Sequence, residues 1–211
     1  MKSNRALGLA AGVACIAALL LIWRQLAGPR VNFLPSAAAG QVLASEINRL
    51  RDQGRAKVLI LARASPGDGV DASHEIARTL SAALTQPGAQ AVAVKDLPRA
   101  ALGTMDSGAV TAEQFMAALE AKPAINTVVI LAGLPELSDN LIQKIRTNSL
   151  TVIAVCGYSA NVKHWLEAGA LARAVVPRPG DPPPATPKSA REWFDREYLL
   201  VSPDSLSRLP Y

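Results

Sequence analysis

Thr127-Val128-Val129-Ile130-Leu131 is an apolar run with no polar position after its first residue, and Ala132-Gly133 follow it. A strand with one wet face alternates polar and apolar residues; this one does not, so it predicts a strand covered on both sides. Lys57-Val58-Leu59-Ile60-Leu61-Ala62 and Thr151-Val152-Ile153-Ala154-Val155 have the same character. Ala91-Val92-Ala93-Val94 and Arg173-Ala174-Val175-Val176 add two shorter strands.

Helical patterns separate these runs. Val42, Leu43, Ile47 and Leu50 predict a helix over 41–53, with Gly54 as its stop. Ile76, Leu80, Ala83 and Leu84 share one face of a helix over 70–86, closed by Pro87-Gly88. Thr111 is an expected N-cap for a helix to Ala121 with Phe115, Met116 and Leu119 inward. Ser138 or Asp139 opens another to Asn148, carrying Leu141, Ile142 and Ile145. A short helix over 161–167 ends before Gly169. Strand and helix in alternation predict the α/β class, with a doubly wound, mostly parallel sheet. The simplest strand order is the flavodoxin-like 2-1-3-4-5.

Beyond Val176 the rhythm changes. Six prolines between Pro177 and Pro187 predict an extended connector over 177–188, because proline fixes φ and lacks a donor. Residues 189–211 contain Trp193, Phe194, Tyr198 and Tyr211, four of the nine aromatics in the chain. This tail is expected to form a helical turn and then a strand at Tyr198–Val201, and to pack back on the domain.

At the other end, after a short tail 1–5, residues Ala6 to Trp23 form an uninterrupted apolar stretch of 18 residues. At ~1.5 Å per residue a helix of this length reaches about 27 Å, close to the thickness of a hydrocarbon core. Lys2 and Arg5 precede it, and Trp23-Arg24 close it in a manner suited to the headgroup region. The expected reading is a retained single-pass anchor over 6–23, a stalk over 24–40 and an α/β domain over 41–176. A cleaved signal peptide fits less well, since cleavage after Ala27 places Gln25 at the minus-three position. A lipoprotein signal ending at Cys15 lacks the usual leucine and stops short of the apolar run's end. A short N-terminal tail favours the cytoplasmic side, which places the domain on the outer (periplasmic) side of a cytoplasmic membrane. Gly8 and Gly12 have the spacing of a small-residue seam for helix pairing, and so for a homodimer.

The anchor also explains the charge. The chain has 22 basic and 17 acidic residues, a net of +5, but residues 1–30 hold four of the bases and no acid. The remainder is nearly neutral and has no basic run interleaved with aromatics, which argues against a nucleic-acid partner. Cys156 is the domain's one cysteine, so no disulfide within it can form. His74 and His164 are isolated, and neither a metal set nor a cofactor fingerprint is present.

Ligands of open parallel sheets sit beyond the carboxyl ends of the strands. The loops there supply Arg63, Asp68, Glu136, Tyr158 and Arg178, a set suited to a small polar or anionic ligand. Cys156 follows the fourth strand and His74 opens the helix after the first, so a thiol–imidazole pair at this rim is the catalytic alternative. Asp96, Asp106 and Glu136 are too scattered in sequence to form a carboxylate pair.

The run from Lys57 to Val176 resembles one lobe of a periplasmic sugar-binding protein, on the strand Thr127–Leu131 followed by Gly133 and on the strand Thr151–Val155. Proteins of that family close two lobes over a ligand, and this chain has length for one. The resemblance thus implies a single-lobe domain whose interlobe cleft requires a second copy. The sequence reading is a membrane-anchored, non-catalytic α/β module that binds a protein partner or a small polar ligand. Its competitors are an anchored enzyme using Asp68, His74 or Cys156, and a structural component of an envelope assembly.

Overall fold

A computed structural model describes residues 32–50, 56–63, 71–84, 89–97, 110–121, 124–157, 160–182 and 186–209. The chain divides at Asn32, and the unit described here begins at Phe33. The expected anchor 6–23, with Gly8 and Gly12, lies outside the described residues. Among those described, no helix is long and apolar enough to cross a membrane.

Six strands form one mixed sheet: β1 (Ala56–Arg63), β2 (Ala89–Leu97), β3 (Thr127–Ile130), β4 (Thr151–Val155), β5 (Arg173–Pro177) and β6 (Tyr198–Val201). Their order is β2-β1-β3-β4-β5-β6. The first five are parallel, in the expected order, and β6 runs antiparallel to β5, with Val175 opposite Leu200. Val58 to Ala62 of β1 and all of β3 are buried, as unbroken apolar runs require.

Helices cover both faces. On one, α1 (Leu34–Leu50), α2 (Ala72–Ala83) and α6 (Ala190–Glu197) pack on Val58, Ile60, Val129, Ile153 and Val175. On the other, α3 (Ala112–Glu120), α4 (Asp139–Thr147) and α5 (Ala160–Glu167) pack on Leu59, Leu61, Val128, Ile130, Val152 and Ala154. The alternation along each strand sends successive residues to opposite layers. Local signals set the helix starts. Thr111 and Gln114 form a capping box, Ser138 caps α4, and Ser189 caps α6.

The main correction concerns α1. It begins at Leu34, so residues 34–40 of the expected stalk 24–40 are its first two turns. Pro35 is compatible with a first turn, where its missing donor is not needed. The small residues that suggested a linker form a packing seam: Ser36, Ala38, Ala39 and Gly40 are buried. A Cβ on Gly40 would lie 2.9 Å from the Ile76 carbonyl oxygen and 2.9 Å from Thr79 Cβ, so α1 and α2 touch here backbone to backbone.

The described part of the C-terminal tail, through Leu209, packs on the domain. Phe194 is buried, and Trp193 and Tyr198 pack against the α1–α2–α6 side of the core. Tyr198 lies beside Ser36 in the first turn of α1 and opposite Pro177 at the end of β5. Glu46, near the other end of α1, approaches Arg173 Nε at the start of β5 at 3.5 Å. Helix α1 therefore runs antiparallel to β5, with its first turn at the carboxyl end of the sheet.

Gly40→Ala should destabilise the domain despite alanine's better helix propensity. That propensity is worth ~1 kcal/mol, whereas overpacking against a neighbouring backbone costs about 1–3 kcal/mol. Thermal denaturation should show a lower Tm, and Gly40→Leu should lower it further.

Candidate functional site

The carboxyl ends of β1, β3, β4 and β5 line up along one rim. Arg63 ends β1, and its Nη2 donates to the Ala132 carbonyl at 3.1 Å. This bond ties β1 to the loop after β3. That loop turns at Gly133, whose φ of +89° is a conformation glycine adopts freely. From α5, Asn161 Nδ2 and Trp165 Nε1 both donate to the Pro135 carbonyl, each at 3.0 Å. Trp165 is fully buried and meets Phe115 edge to face at 6.4 Å. The loop is thus held from two sides, and it presents Glu136 to solvent.

Arg178 follows β5 and is exposed. Its backbone N–H donates to the Glu197 carbonyl at 2.8 Å, and its Nη2 lies 3.5 Å from the Tyr198 carbonyl oxygen. It faces the β6 side of the rim, two strands beyond the one that Arg63 grips. Arg63 and the Glu136 loop belong to neighbouring strands; Arg178 stands apart from them. Asp68 and Tyr158 lie outside the described residues.

The thiol–imidazole arrangement does not form. Cys156 packs with the α3–α4–α5 layer, and its N–H donates to the Val175 carbonyl at 3.0 Å. Burial pushes its thiol up to about 12, so at neutral pH it is protonated and a poor nucleophile. His74 belongs to α2, on the opposite face of the sheet. His164 is exposed on α5.

His74 instead sits between two carboxylates. Asp71, the N-cap of α2, accepts from the His74 backbone N–H at 3.0 Å and from Ser73 Oγ at 2.8 Å. Its Oδ1 is also 3.0 Å from His74 Nδ1, and Asp96 Oδ1 on β2 is 3.3 Å from Nε2. Burial alone would raise the Asp71 pKa, but the bonds from His74 and Ser73 outweigh it and bring it down to about 2. The hydrogen bond to Asp71 is the main cause raising the His74 pKa; burial opposes it, and the charges of Asp71 and Asp96 add to it. A general base needs a free ring nitrogen, and both nitrogens of His74 face carboxylates. Sequence reading placed His74 at this rim but set Asp96 aside as scattered and missed Asp71. The Asp-x-x-His capping pattern was the available signal. No group of three or more acidic, histidine or cysteine side chains among the described residues is disposed to hold a metal ion.

Two outcomes follow. Site-resolved alkylation at pH 8 should modify Cys156 roughly a hundred- to a thousandfold more slowly in the native protein than in guanidinium, from the difference in thiolate fraction. The Asp71 contribution to stability should be complete above its ordinary value of 3.8 and be lost as the pH falls toward 2. Asp71→Ala should remove that acid-side dependence and, through the lost cap, cost about 1 kcal/mol in equilibrium denaturation.

No protein-family model matches the chain, and no curated protein matches it. Solved structures share its fold. The arabinose-binding protein AraP from Geobacillus stearothermophilus superimposes with a TM-score of 0.58 at 14% identity, over 83% of this chain and 63% of that one. A carbohydrate transporter solute-binding protein from Agrobacterium radiobacter, in complex with D-arabinose, gives 0.51 at 18% identity, over 82% and 63%. The XylFII–LytSN complex gives 0.53 at 11% identity, over 81% and 60%. The chain spans between 60% and 63% of the length of these proteins, and at such identities the likeness is one of fold: a mixed α/β sheet covered by helices, similar to that of the periplasmic sugar-binding proteins.

Proposed function

We propose that this chain is a membrane-anchored, non-catalytic binding module whose carboxyl-end rim takes a small polar ligand or a protein partner. The observation that carries this reading is the state of the rim's reactive groups. Cys156 is held as a half-buried, protonated thiol, and His74 is occupied by Asp71 and Asp96. What remains exposed there, Glu136 and Arg178, is suited to hydrogen bonding and charge recognition. Arg63, Asp68, Glu136, Tyr158 and Arg178 are the proposed contacts.

The fold likeness supports the ligand class. The A. radiobacter protein holds D-arabinose, and AraP is an arabinose-binding protein. A protein partner has its own support in the XylFII–LytSN complex, where a chain of this fold occurs in an assembly. The module would complete a two-lobed cleft by pairing with a second copy, and the Gly8/Gly12 seam is the proposed route to that pairing. The apolar stretch 6–23 is the proposed anchor, in the cytoplasmic membrane with the domain on its outer side.

Full-length protein in mild detergent should gain thermal stability from a pentose or hexose, or retain a specific partner in a pull-down. A ligand at 100 times its Kd adds about 2.7 kcal/mol. Arg178→Ala should weaken the interaction without changing the fold. Turnover of any substrate by the full-length protein, whether retained or lost in Cys156→Ala and His74→Gln, would show the non-catalytic reading to be wrong. A reporter fused after Tyr211 should be active only outside the cytoplasm.

A further inference from the structure

The three charged groups at the outer end of the rim come from two elements. Asp71 and His74 belong to the first turn of α2, and Asp96 lies near the end of β2, beside Ala62 of β1. His74 therefore bridges the start of α2 and the end of β2.

We propose that Asp71, His74 and Asp96 form a proton-gated clasp that ties the end of β2 to the first turn of α2. With both ring nitrogens protonated, each carboxylate receives an N–H. When the ring gives one proton to water, a single N–H remains and the other nitrogen presents a lone pair to a carboxylate about 3 Å away. The two partners are unequal in this competition. Asp71 is also held by the His74 backbone N–H and by Ser73, and its side chain is 35% exposed. Asp96 has a side chain 55% exposed and is easily resolvated. The clasp therefore opens at Asp96.

Other charges nearby are committed elsewhere. Glu75, also in the first turn of α2, pairs with Arg78 at 2.6 Å. Lys95 adjoins Asp96 on β2, and its side chain points to the opposite face of the strand. Arg63 at the end of β1 donates to Ala132. On α1, which packs against α2, Glu46 and Arg49 pair near the far end of the helix. Asp68 lies outside the described residues.

The direction follows from the raised His74 pKa. The clasp is closed and its stabilisation complete below the ordinary histidine value of 6.5, and it is lost as the pH rises through the raised midpoint. The chain has two histidines, so ring signals of the full-length protein in detergent micelles are assigned with a single His164→Gln variant. His74 should titrate above 6.5, and Asp96→Asn, a conservative change at an exposed site, should lower its midpoint. After correction for intrinsic rates, hydrogen exchange at residues 95–97 should be slower below the midpoint than above it by roughly two- to fivefold, the range for a partly exposed ion pair. In His74→Gln that difference should vanish. A His74 midpoint at or below 6.5, a midpoint unmoved by Asp96→Asn, or exchange at 95–97 that ignores the His74 titration would overturn the clasp.

Discussion

The central strands of this sheet have no face to give to water. Val58, Ile60 and Val129 point into one helical layer while Leu59, Leu61, Val128 and Ile130 point into the other, and all are essentially inaccessible. A parallel sheet with this pattern is stable only if both layers are complete. The α1–α2–α6 layer is assembled from three distant parts of the chain, two of which lie outside the strand–helix repeat. Helix α1 precedes β1, and α6 follows the proline-rich connector. Gly40 lets α1 approach α2, and Phe194 fills the space beneath α6. These outlying segments are therefore integral to the domain.

That dependence explains which parts of the sequence could be read. The interior strands were legible because burial on both faces writes itself as a continuous apolar run, and β4 and β6 fall on their expected bounds. Strand β2 extends from Ala89 to Leu97, well past the expected 91–94. It lies at the sheet edge, where Lys95 and Asp96 can stay in contact with water, so an apolar-run criterion reads it too short. Helix α1 was misjudged for a related reason. Ser36-Ala37-Ala38-Ala39-Gly40 has the composition of a linker and also that of a close helix–helix seam, and only the partner helix tells the two apart.

The rim shows the same limit in its chemistry. Its location was readable, because ligand sites of open parallel sheets follow the carboxyl ends of strands. The partners of its side chains were not. Arg63 is committed to the Ala132 carbonyl and Trp165 to that of Pro135, and a backbone acceptor leaves no mark in the sequence. Cys156 and His74 both lie after strands, as a catalytic pair would, yet they project into opposite layers. Which layer a rim residue joins depends on the phase of its strand and on the hand of the crossover, and neither is fixed by proximity in the chain.

The two edges of the sheet are protected by different means, and the difference bears on the rim. At one edge β6 pairs antiparallel with β5 as a strand of four residues, and the turn at Pro203–Arg208 follows it directly. A short edge strand offers little template for a neighbouring chain. At the other, β2 is nine residues long and carries Lys95 and Asp96 near its end, charges that discourage strand addition. Asp96 thus has two roles with opposing demands. As an edge charge it must stay hydrated, and as the partner of His74 it must stay close to the ring. A half-exposed carboxylate meets both. It also makes Asp96 the weak side of the Asp71–His74–Asp96 array, because the hydration that guards the edge is the same hydration that competes with the imidazolium.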